Sequence, residues 1–142
     1  MMIKTIKFPD ESVEYIAPSW TELNQLAFKV SKQILQAGQR FDRIVTLAKG
    51  GWPLTRSMVD FLQTNKVGSI GVRFYCGINQ RLEKPEIYQD LPVSIKDERV
   101  LLFDDVVDTG QSIEFAKQHL FKLGVKRVTT AALFHKPQAS LK

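Results

Sequence analysis

Carboxylates, hydroxyls and a glycine occur together in one short stretch of the chain, residues 101–112, which reads LLFDDVVDTGQS. Its polar members and its glycine are Asp104, Asp105, Asp108, Thr109, Gly110, Gln111 and Ser112. A turn that leaves a strand and enters a helix directs backbone N–H groups outward, and the helix dipole adds partial positive charge there. Hydroxyls can add donors, and the glycine lets the backbone approach a ligand closely. The stretch therefore predicts a phosphate-binding turn.

The two adjacent carboxylates suit a different part of the same ligand. Asp104 and Asp105 would repel a bare phosphate, but they can accept hydrogen bonds from the hydroxyls of a ribose. They can do so directly or through Mg²⁺, which prefers carboxylate oxygens, phosphates and water. The acidic turn is thus expected to hold both ends of a ribose phosphate.

A second candidate loop has the sequence LAKGGWP and follows a short apolar strand. Gly50 and Gly51 permit unusual backbone angles and a close approach, so that N–H groups and the Lys49 region can bind a charged diphosphate. The alternative is a tight turn that begins the helix at Pro53 and binds nothing.

Alternating helices and apolar strands surround these loops. Ser19 and Glu22 have capping-box spacing at the start of an amphipathic helix that Gly38 ends. Six further elements follow: a strand over 44–47, a helix from Pro53, a strand with glycines at 68 and 71, the strand RVLLF, a helix ended by Gly124 and the strand KRVTTAALFHK. The pattern predicts an α/β fold with a mainly parallel sheet flanked by helices, and ligands beyond the carboxyl ends of the strands. Residues 77–96, between the strand with the two glycines and the strand RVLLF, have little periodicity and two prolines, which predicts a long flexible loop.

Composition limits the possible classes of protein. The 142 residues are 44% apolar, enough for a single domain over 1–142, and the net charge of +5 favours anionic ligands. No run is apolar enough for a membrane span or a secretory signal, so we expect a cytoplasmic protein that does not bind membranes. The single cysteine excludes an internal disulfide and a zinc site made of cysteines.

The run VLLFDDVVDTGQS resembles the phosphoribosyl pyrophosphate (PRPP) signature of type I phosphoribosyltransferases. The resemblance implies that Asp104 and Asp105 bind the ribose hydroxyls and take part in holding Mg²⁺, the expected cofactor. It also implies a 5′-phosphate site formed by Asp108, Thr109, Gly110, Gln111 and Ser112. The loop LAKGGWP is similar to the pyrophosphate-binding loop of the family, with Lys49, Gly50 and Gly51 as the binding residues.

The last strand, AALFHKP, resembles the 6-oxopurine branch of that family. Lys136 then donates to the exocyclic O6 of hypoxanthine, guanine or xanthine, although a surface lysine is the alternative. Asp108 is the expected catalytic group at N7 of the base, unless it only shapes the loop. His135 is interpreted as a strand-end histidine with a hydrogen bond, and His119 as a surface residue.

Two other segments are similar to functional parts of the family. The loop over 77–96 resembles a flexible segment that closes over the active site, with candidates Arg73, Tyr75, Arg81 and Lys84, for each of which a solvated surface residue is the alternative. The family also has a hood after the lysine, whose aromatic side chain stacks on the base. Because the sequence stops at Lys142, this hood is expected to be missing or truncated, and neither tryptophan, Trp20 or Trp52, lies in its place.

The resemblance implies purine salvage, in which a phosphoribosyl group passes from PRPP to a purine base. The expected partners are PRPP and the base, without a nucleic acid, and the expected assembly is a homodimer or homotetramer. The alternative is a phosphoribosyltransferase-like regulatory protein that binds nucleotides or RNA without turnover, which the positive charge favours. The order of the chain opposes a response-regulator receiver. The acid pair of a receiver belongs to its first strand and its phosphoacceptor comes many residues later, whereas only 37 residues follow Asp105 here.

Overall fold

The computed structural model describes residues 3–75 and 84–136. In these ranges the elements are, in chain order, β1 (Thr5–Lys7), β2 (Glu14–Ile16), α1 (Trp20–Gln36), β3 (Arg43–Ala48), α2 (Trp52–Leu62), β4 (Val67–Tyr75), β5 (Lys84–Gln89), β6 (Arg99–Val107), α3 (Gln111–Lys122) and β7 (Arg127–His135). β1 and β2 form an antiparallel hairpin, which the sequence analysis did not predict. No helix within the described ranges is long and apolar enough to span a membrane.

The central sheet has the strand order β5-β4-β3-β6-β7. The four strands from β4 to β7 in this order are parallel, and only the edge strand β5 runs antiparallel, on β4. The prediction of an α/β fold with a mainly parallel sheet is therefore confirmed. The carboxyl ends of β3, β6 and β7 meet at one edge of this sheet, where the predicted ligand loops emerge.

The two faces of the sheet carry separate apolar cores. Alternate residues of β3 and β6 point to opposite faces, as strand geometry requires. The face covered by α3 buries Val45, Leu47, Val100 and Leu102, with Ala116 and Leu120 of the helix. The face covered by α1 and α2 buries Ile44, Leu101 and Phe103, with Ala27, Leu54 and Met58 of the helices. Burial on both faces explains why RVLLF is continuously apolar rather than alternating.

Local signals begin and end the helices where the sequence predicts. Ser19 caps α1: its hydroxyl accepts from Glu22 N at 3.2 Å, and its own N–H donates to Glu22 Oε2 at 2.7 Å. Gly38 and Gly124 follow α1 and α3 with φ of +71° and +87°, a left-handed conformation that stops a helix at little cost for glycine.

The prediction of an irregular loop over 77–96 is wrong for residues 84–89, which form β5. The reason lies in β4, where Gly68 and Gly71 leave room for side chains that arrive from the returning chain. A Cβ at Gly71 would lie 2.3 Å from the Tyr88 ring, and one at Gly68 would lie 2.4 Å from Leu91 Cδ2. Gly68 and Gly71 therefore let the following segment pack against β4, with a bulge at Gly71.

The helix α3 is tied to the chain that follows β5. His119, predicted to lie on the surface, is largely covered, and its Nε2 lies 2.9 Å from both carboxylate oxygens of Asp90. Burial raises the pKa of the Asp90 carboxyl, but hydrogen bonds from His119 and from the Leu91 N–H outweigh it, so that the pKa is lowered overall. The pair fixes α3 next to the edge strand.

The amino ends of the strands are joined by ion pairs. The guanidinium of Arg43, on β3, makes two hydrogen bonds to Glu98, at 2.7 and 3.1 Å, and both side chains are largely buried. Nearby, the Arg99 side chain and backbone N–H donate to Asp42, which lowers the pKa of that carboxyl to about 2. These pairs hold β3 and β6 together at the end opposite the ligand loops.

Replacing Glu98 should destabilise the fold strongly. In Glu98→Ala the Arg43 guanidinium stays buried without its counter-charge, and we expect the free energy of unfolding to fall by about 3 kcal/mol in urea titrations. Asp60→Ala is the control, because Asp60 forms an exposed pair with Arg56, and such a pair contributes less than about 1 kcal/mol. Equal losses in the two variants would contradict the assigned role of Glu98.

Candidate active site

The two predicted ligand loops meet at the carboxyl edge of β3 and β6. The pairing of these strands ends at Thr46 and Phe103, so the Lys49–Gly51 loop and the two adjacent aspartates leave the paired region side by side. A Cβ on Gly50 would lie 2.5 Å from Asp105 Oδ1, which means that the carboxylate packs directly on the glycine backbone. The structure thus brings together residues that are more than fifty positions apart in the sequence.

The second glycine of the loop is required by packing. A Cβ on Gly51 would lie 2.1 Å from Thr46 Oγ1 and 3.1 Å from the Leu47 carbonyl oxygen. This residue is buried, whereas Lys49 and Gly50 are exposed. The peptide bond between Ala48 and Lys49 is cis. The loop therefore fixes its inner glycine and presents Lys49 to solvent.

Asp104 and Asp105 lie within β6 rather than in the turn after it, which corrects the sequence interpretation. The strand runs to Val107 because its pairing with β7 continues, with Val106 opposite Phe134 and Val107 opposite His135. Successive side chains of a strand point to opposite faces. The two carboxylates consequently line two different hollows, which share Val106 as a wall.

The smaller hollow, of about 110 Å³, lies at the start of α3. It is lined by Asp104, Val106, Val107, Asp108, Thr109, Gly110, Ser112 and Ile113. Gly110 has φ of +81° and precedes the helix, and Thr109 Oγ1 accepts from Gln111 N at 3.3 Å. Of the residues predicted for the 5′-phosphate, Gln111 instead lines a neighbouring groove with Phe74 and Pro85. The hollow combines a helix N-terminus with two hydroxyls, which is a setting that suits a phosphate.

The larger cavity, of about 410 Å³, lies on the other side of β6. Its polar side chains are Asp105 of β6 and His135 and Lys136 at the end of β7, and Gly50 also lines it. The rest of its wall is mainly apolar and comes from the segment before α1, the starts of α1 and α2, and the strand ends: Ile16, Pro18, Trp20, Leu23, Pro53, Leu54, Val106 and Phe134. A flat apolar molecule with one polar edge would suit such a cavity.

A charged pair lies at the boundary of the two hollows. Lys136 Nζ, from the larger cavity, is 3.6 Å from Asp108 Oδ2, from the smaller hollow, and both side chains are mostly exposed. The Lys136 backbone N–H donates to the Val107 carbonyl oxygen at 3.0 Å, which fixes the end of β7 beside β6. A cation and an anion are thus held next to each other, where one ligand can contact both.

The buried carboxyl of the acidic pair has a perturbed pKa. Burial, together with the hydrogen bond and the charge of Asp105, raises the pKa of Asp104 to about 7, although the Asp105 N–H donates to Asp104 Oδ1 at 2.9 Å and opposes this. Carboxyls with raised pKa values are concentrated in functional sites. Near neutral pH, Asp104 would exchange its proton readily for a bound cation.

The acidic pair matches the chemistry of Mg²⁺ only in part. Carboxylate oxygens are suitable ligands, and a cation would relieve the repulsion between Asp104 and Asp105. Within residues 3–75 and 84–136, however, no group of three or more His, Cys, Asp or Glu side chains could hold a metal. Magnesium usually keeps several water ligands and takes one or two carboxylates from the protein, a number that Asp104 and Asp105 could supply.

The four candidates at the predicted flexible loop, Arg73, Tyr75, Arg81 and Lys84, do not share one location. The Arg73 side chain forms an ion pair with Glu86 across β4 and β5 and lies over the Tyr88 ring. Tyr75 ends β4, and Lys84 begins β5 and is exposed. Arg81 lies outside the described residues, as does the position expected for the hood. Neither Arg73 nor Lys84 lines either hollow at the acidic pair.

Sequence reasoning missed the apolar wall of the larger cavity. Trp20 was judged to lie away from the expected aromatic position, yet it lines the same cavity as Lys136. Ile16 and Pro18 lie there too, because the hairpin of β1 and β2 leads the chain across this end of the sheet. A short three-residue strand that is exposed along its length gives little signal in the sequence.

Comparison with known families decides the classification of the chain. Residues 16–142 match the phosphoribosyl transferase domain. The chain belongs to that family. The predicted resemblance to type I phosphoribosyltransferases is thereby confirmed.

Three individual relatives share between 25% and 35% of their residues with this chain over the matched regions. A solved purine phosphoribosyltransferase from Pyrococcus horikoshii superposes with a TM-score of 0.76 at 31% identity, over 86% of this chain and 79% of that one. The hypoxanthine-guanine phosphoribosyltransferase of Streptococcus pneumoniae is 25% identical over 132 residues, 91% of this chain and 73% of its own. The bifunctional protein pyrR of Enterococcus faecalis is 35% identical over 68 residues, 47% of this chain, and the match spans only 38% of that relative.

The pKa of Asp104 makes stability depend on pH. The carboxyl is raised from 3.8 to about 7 in the folded state, so the folded protein binds more protons than the unfolded chain between these values. The contribution of Asp104 to stability is therefore fully present below about pH 4 and is lost as the pH rises through 7. Asp104→Asn should remove this loss, and we expect its melting temperature at pH 8 to exceed that of the wild type by about 3 °C.

At pH 4 the same variant should show no such gain, and Asp60→Asn is the control for loss of a remote carboxylate. Differential scanning calorimetry at both pH values measures the effect. A gain for Asp104→Asn that is equal at pH 4 and pH 8 would contradict the raised pKa.

Proposed function

We propose that this protein transfers the phosphoribosyl group of PRPP to a 6-oxopurine, giving a nucleoside 5′-monophosphate and pyrophosphate. The observation that supports this best is the pair of adjoining hollows with Lys136 and Asp108 at their boundary. One hollow suits a phosphate and the other suits a flat base. The purine relatives support the same reaction class.

In this proposal the 5′-phosphate binds in the smaller hollow. The backbone N–H groups at the start of α3 and the hydroxyls of Thr109 and Ser112 donate to its oxygens, and Gly110 leaves space for the close approach. The ribose then spans the edge of β6, where Asp104 and Asp105 on its two faces accept from the sugar hydroxyls. Gln111 contributes through its backbone, because its side chain lines the neighbouring groove.

The diphosphate on the first ribose carbon reaches the loop that packs on Asp105. Lys49 and the N–H groups of Gly50 and Gly51 contact its oxygens. Magnesium held by the diphosphate and the acidic pair would neutralise the charge that develops on the leaving group. Because Gly50 touches the Asp105 carboxylate, the ribose and diphosphate sites lie next to each other, as one molecule requires.

Lys136 and Asp108 together match one edge of a 6-oxopurine. O6 and N7 are neighbours on that edge, and the base to be ribosylated can carry its proton on N7. Lys136 donates to O6 and Asp108 accepts from the N7 proton, which a separation of 3.6 Å between the two groups allows. A 6-amino group would place donors against the lysine, so adenine is disfavoured.

The reaction then balances with the groups at the site. N9 forms a bond to the first ribose carbon as the bond from that carbon to pyrophosphate breaks, and the leaving oxygen keeps the electron pair. The ribose passes through an oxocarbenium-like state, and the N7 proton moves to Asp108, which acts as a general base. The Lys49 loop stabilises the charge that leaves.

A regulatory role is the second candidate function. The chain would then bind nucleotides or RNA without turnover, which the net charge of +5 favours. The assembly as a homodimer or homotetramer and the cytoplasmic location remain predictions, with sedimentation velocity as the measurement for the first.

A panel of bases tests the proposed reaction. With PRPP and Mg²⁺, we expect pyrophosphate release with hypoxanthine, guanine or xanthine and little with adenine. Asp108→Asn should lower kcat by about 10²-fold because the general base is lost, whereas Asp60→Asn, remote from the site, should match the wild type. Retained PRPP binding with no release for any base would instead support the regulatory candidate.

A second variant tests the contact to O6. Removing a charged donor costs roughly 1.5–3 kcal/mol, so Lys136→Ala should raise the KM for hypoxanthine by about 10- to 100-fold and leave the KM for PRPP unchanged. Lys126→Ala, on the loop after α3, is the matched control. An equal rise in both KM values, or an unaltered preference for 6-oxopurines over adenine, would remove Lys136 from base recognition.

A further inference from the structure

The first residue of α1 has a large aromatic surface that the described part of the chain leaves open. Trp20 is 70% exposed although the capping box of Ser19 and Glu22 fixes the backbone next to it. Its neighbour in the cavity, Ile16, is 57% exposed. Exposed apolar surface that lines a concavity is typical of a binding site.

The position of this surface indicates what covers it. Trp20 lines the same cavity as Asp105 and Lys136, whereas the phosphate hollow lies on the other face of β6. The polar side chains of the cavity come from β6 and the end of β7, and the remaining wall is mainly apolar. A purine has a matching distribution, with polar atoms at its edges and two apolar faces.

We propose that Trp20 stacks on the purine and, with Ile16 and Pro18, forms the aromatic wall of the base site. This inference rests on the proposed function and adds the residue that binds the face of the base, while Lys136 and Asp108 bind its edge. The wall comes from the segment between β2 and α1, and therefore from the amino-terminal part of the chain. Stacking a base on an aromatic side chain is worth about 1–3 kcal/mol.

The chain offers a matched control in its other tryptophan. Trp52 is also the first residue of a helix and is 46% exposed, but it lines a different groove, with Thr55 and Arg56. Both tryptophans therefore begin a helix and are exposed, but they line different cavities. An effect of base binding should be confined to Trp20.

Single-tryptophan variants test the contact without turnover. In Trp52→Phe, whose only tryptophan is Trp20, inosine monophosphate should quench the emission excited at 295 nm, because the base stacks on the indole. Ribose 5-phosphate fills the phosphate hollow without a base and should not quench. In Trp20→Phe, whose only tryptophan is Trp52, neither ligand should change the emission.

Kinetics provide the second measurement. Trp20→Ala should raise the KM for hypoxanthine by about 5- to 100-fold, the equivalent of the stacking energy, with the KM for PRPP unchanged. Trp20→Phe should recover most of the loss, and Trp52→Phe should keep the wild-type KM for hypoxanthine. Because Trp20 is mostly exposed, these substitutions should leave the melting temperature unchanged.

The two proposals fail in different ways. A wild-type protein that neither releases pyrophosphate with any base nor binds inosine monophosphate overturns the proposed function, and this inference with it. Wild-type turnover combined with an unchanged KM in Trp20→Ala and no quenching in Trp52→Phe overturns only the inference.

Discussion

The site depends on the parallel pairing of β3 and β6, which places the Gly50 backbone against the Asp105 carboxylate. The pairing of β3 with β6 stops at Thr46 and Phe103, so the Lys49–Gly51 loop and the acidic pair of β6 begin at the same level beyond it. Any side chain at Gly50 would meet the carboxylate, with a first contact at 2.5 Å. A ligand with a sugar and a diphosphate can therefore contact both loops at once, and the buried apolar strands beneath them hold the loops at this distance.

Strand alternation then divides the site. Asp104 and Asp105 lie in a strand and not in a turn, so one carboxylate lines the phosphate hollow and the other lines the base cavity. Burial raises the pKa of Asp104 to about 7, which makes this carboxyl a group that readily exchanges a proton for a cation. In our account the sugar spans β6. Lys136 and Asp108 lie at the boundary of the two hollows and bind the edge of the purine.

Much of this arrangement could be predicted from the sequence, because its signals are local. Each of these signals depends on neighbouring residues: the capping box of α1, the glycines that end the helices and the run VLLFDDVVDTGQS. Together they predicted the sheet, its helices and the ligand loops. The misses depend on long-range contacts. β5 forms because Gly68 and Gly71 accept Leu91 and Tyr88, and Trp20 reaches the cavity because a hairpin with exposed strands precedes α1. Neither contact leaves a periodic pattern.

Titration calorimetry with PRPP and ribose 5-phosphate tests most directly whether the two loops form one site. In the presence of Mg²⁺ we predict that the wild type binds PRPP more tightly than ribose 5-phosphate, since only PRPP carries the diphosphate that reaches Lys49. Gly50→Val, which displaces the Asp105 carboxylate, should remove this difference. Equal affinities of the wild type for both ligands, or no binding of PRPP, would contradict the account.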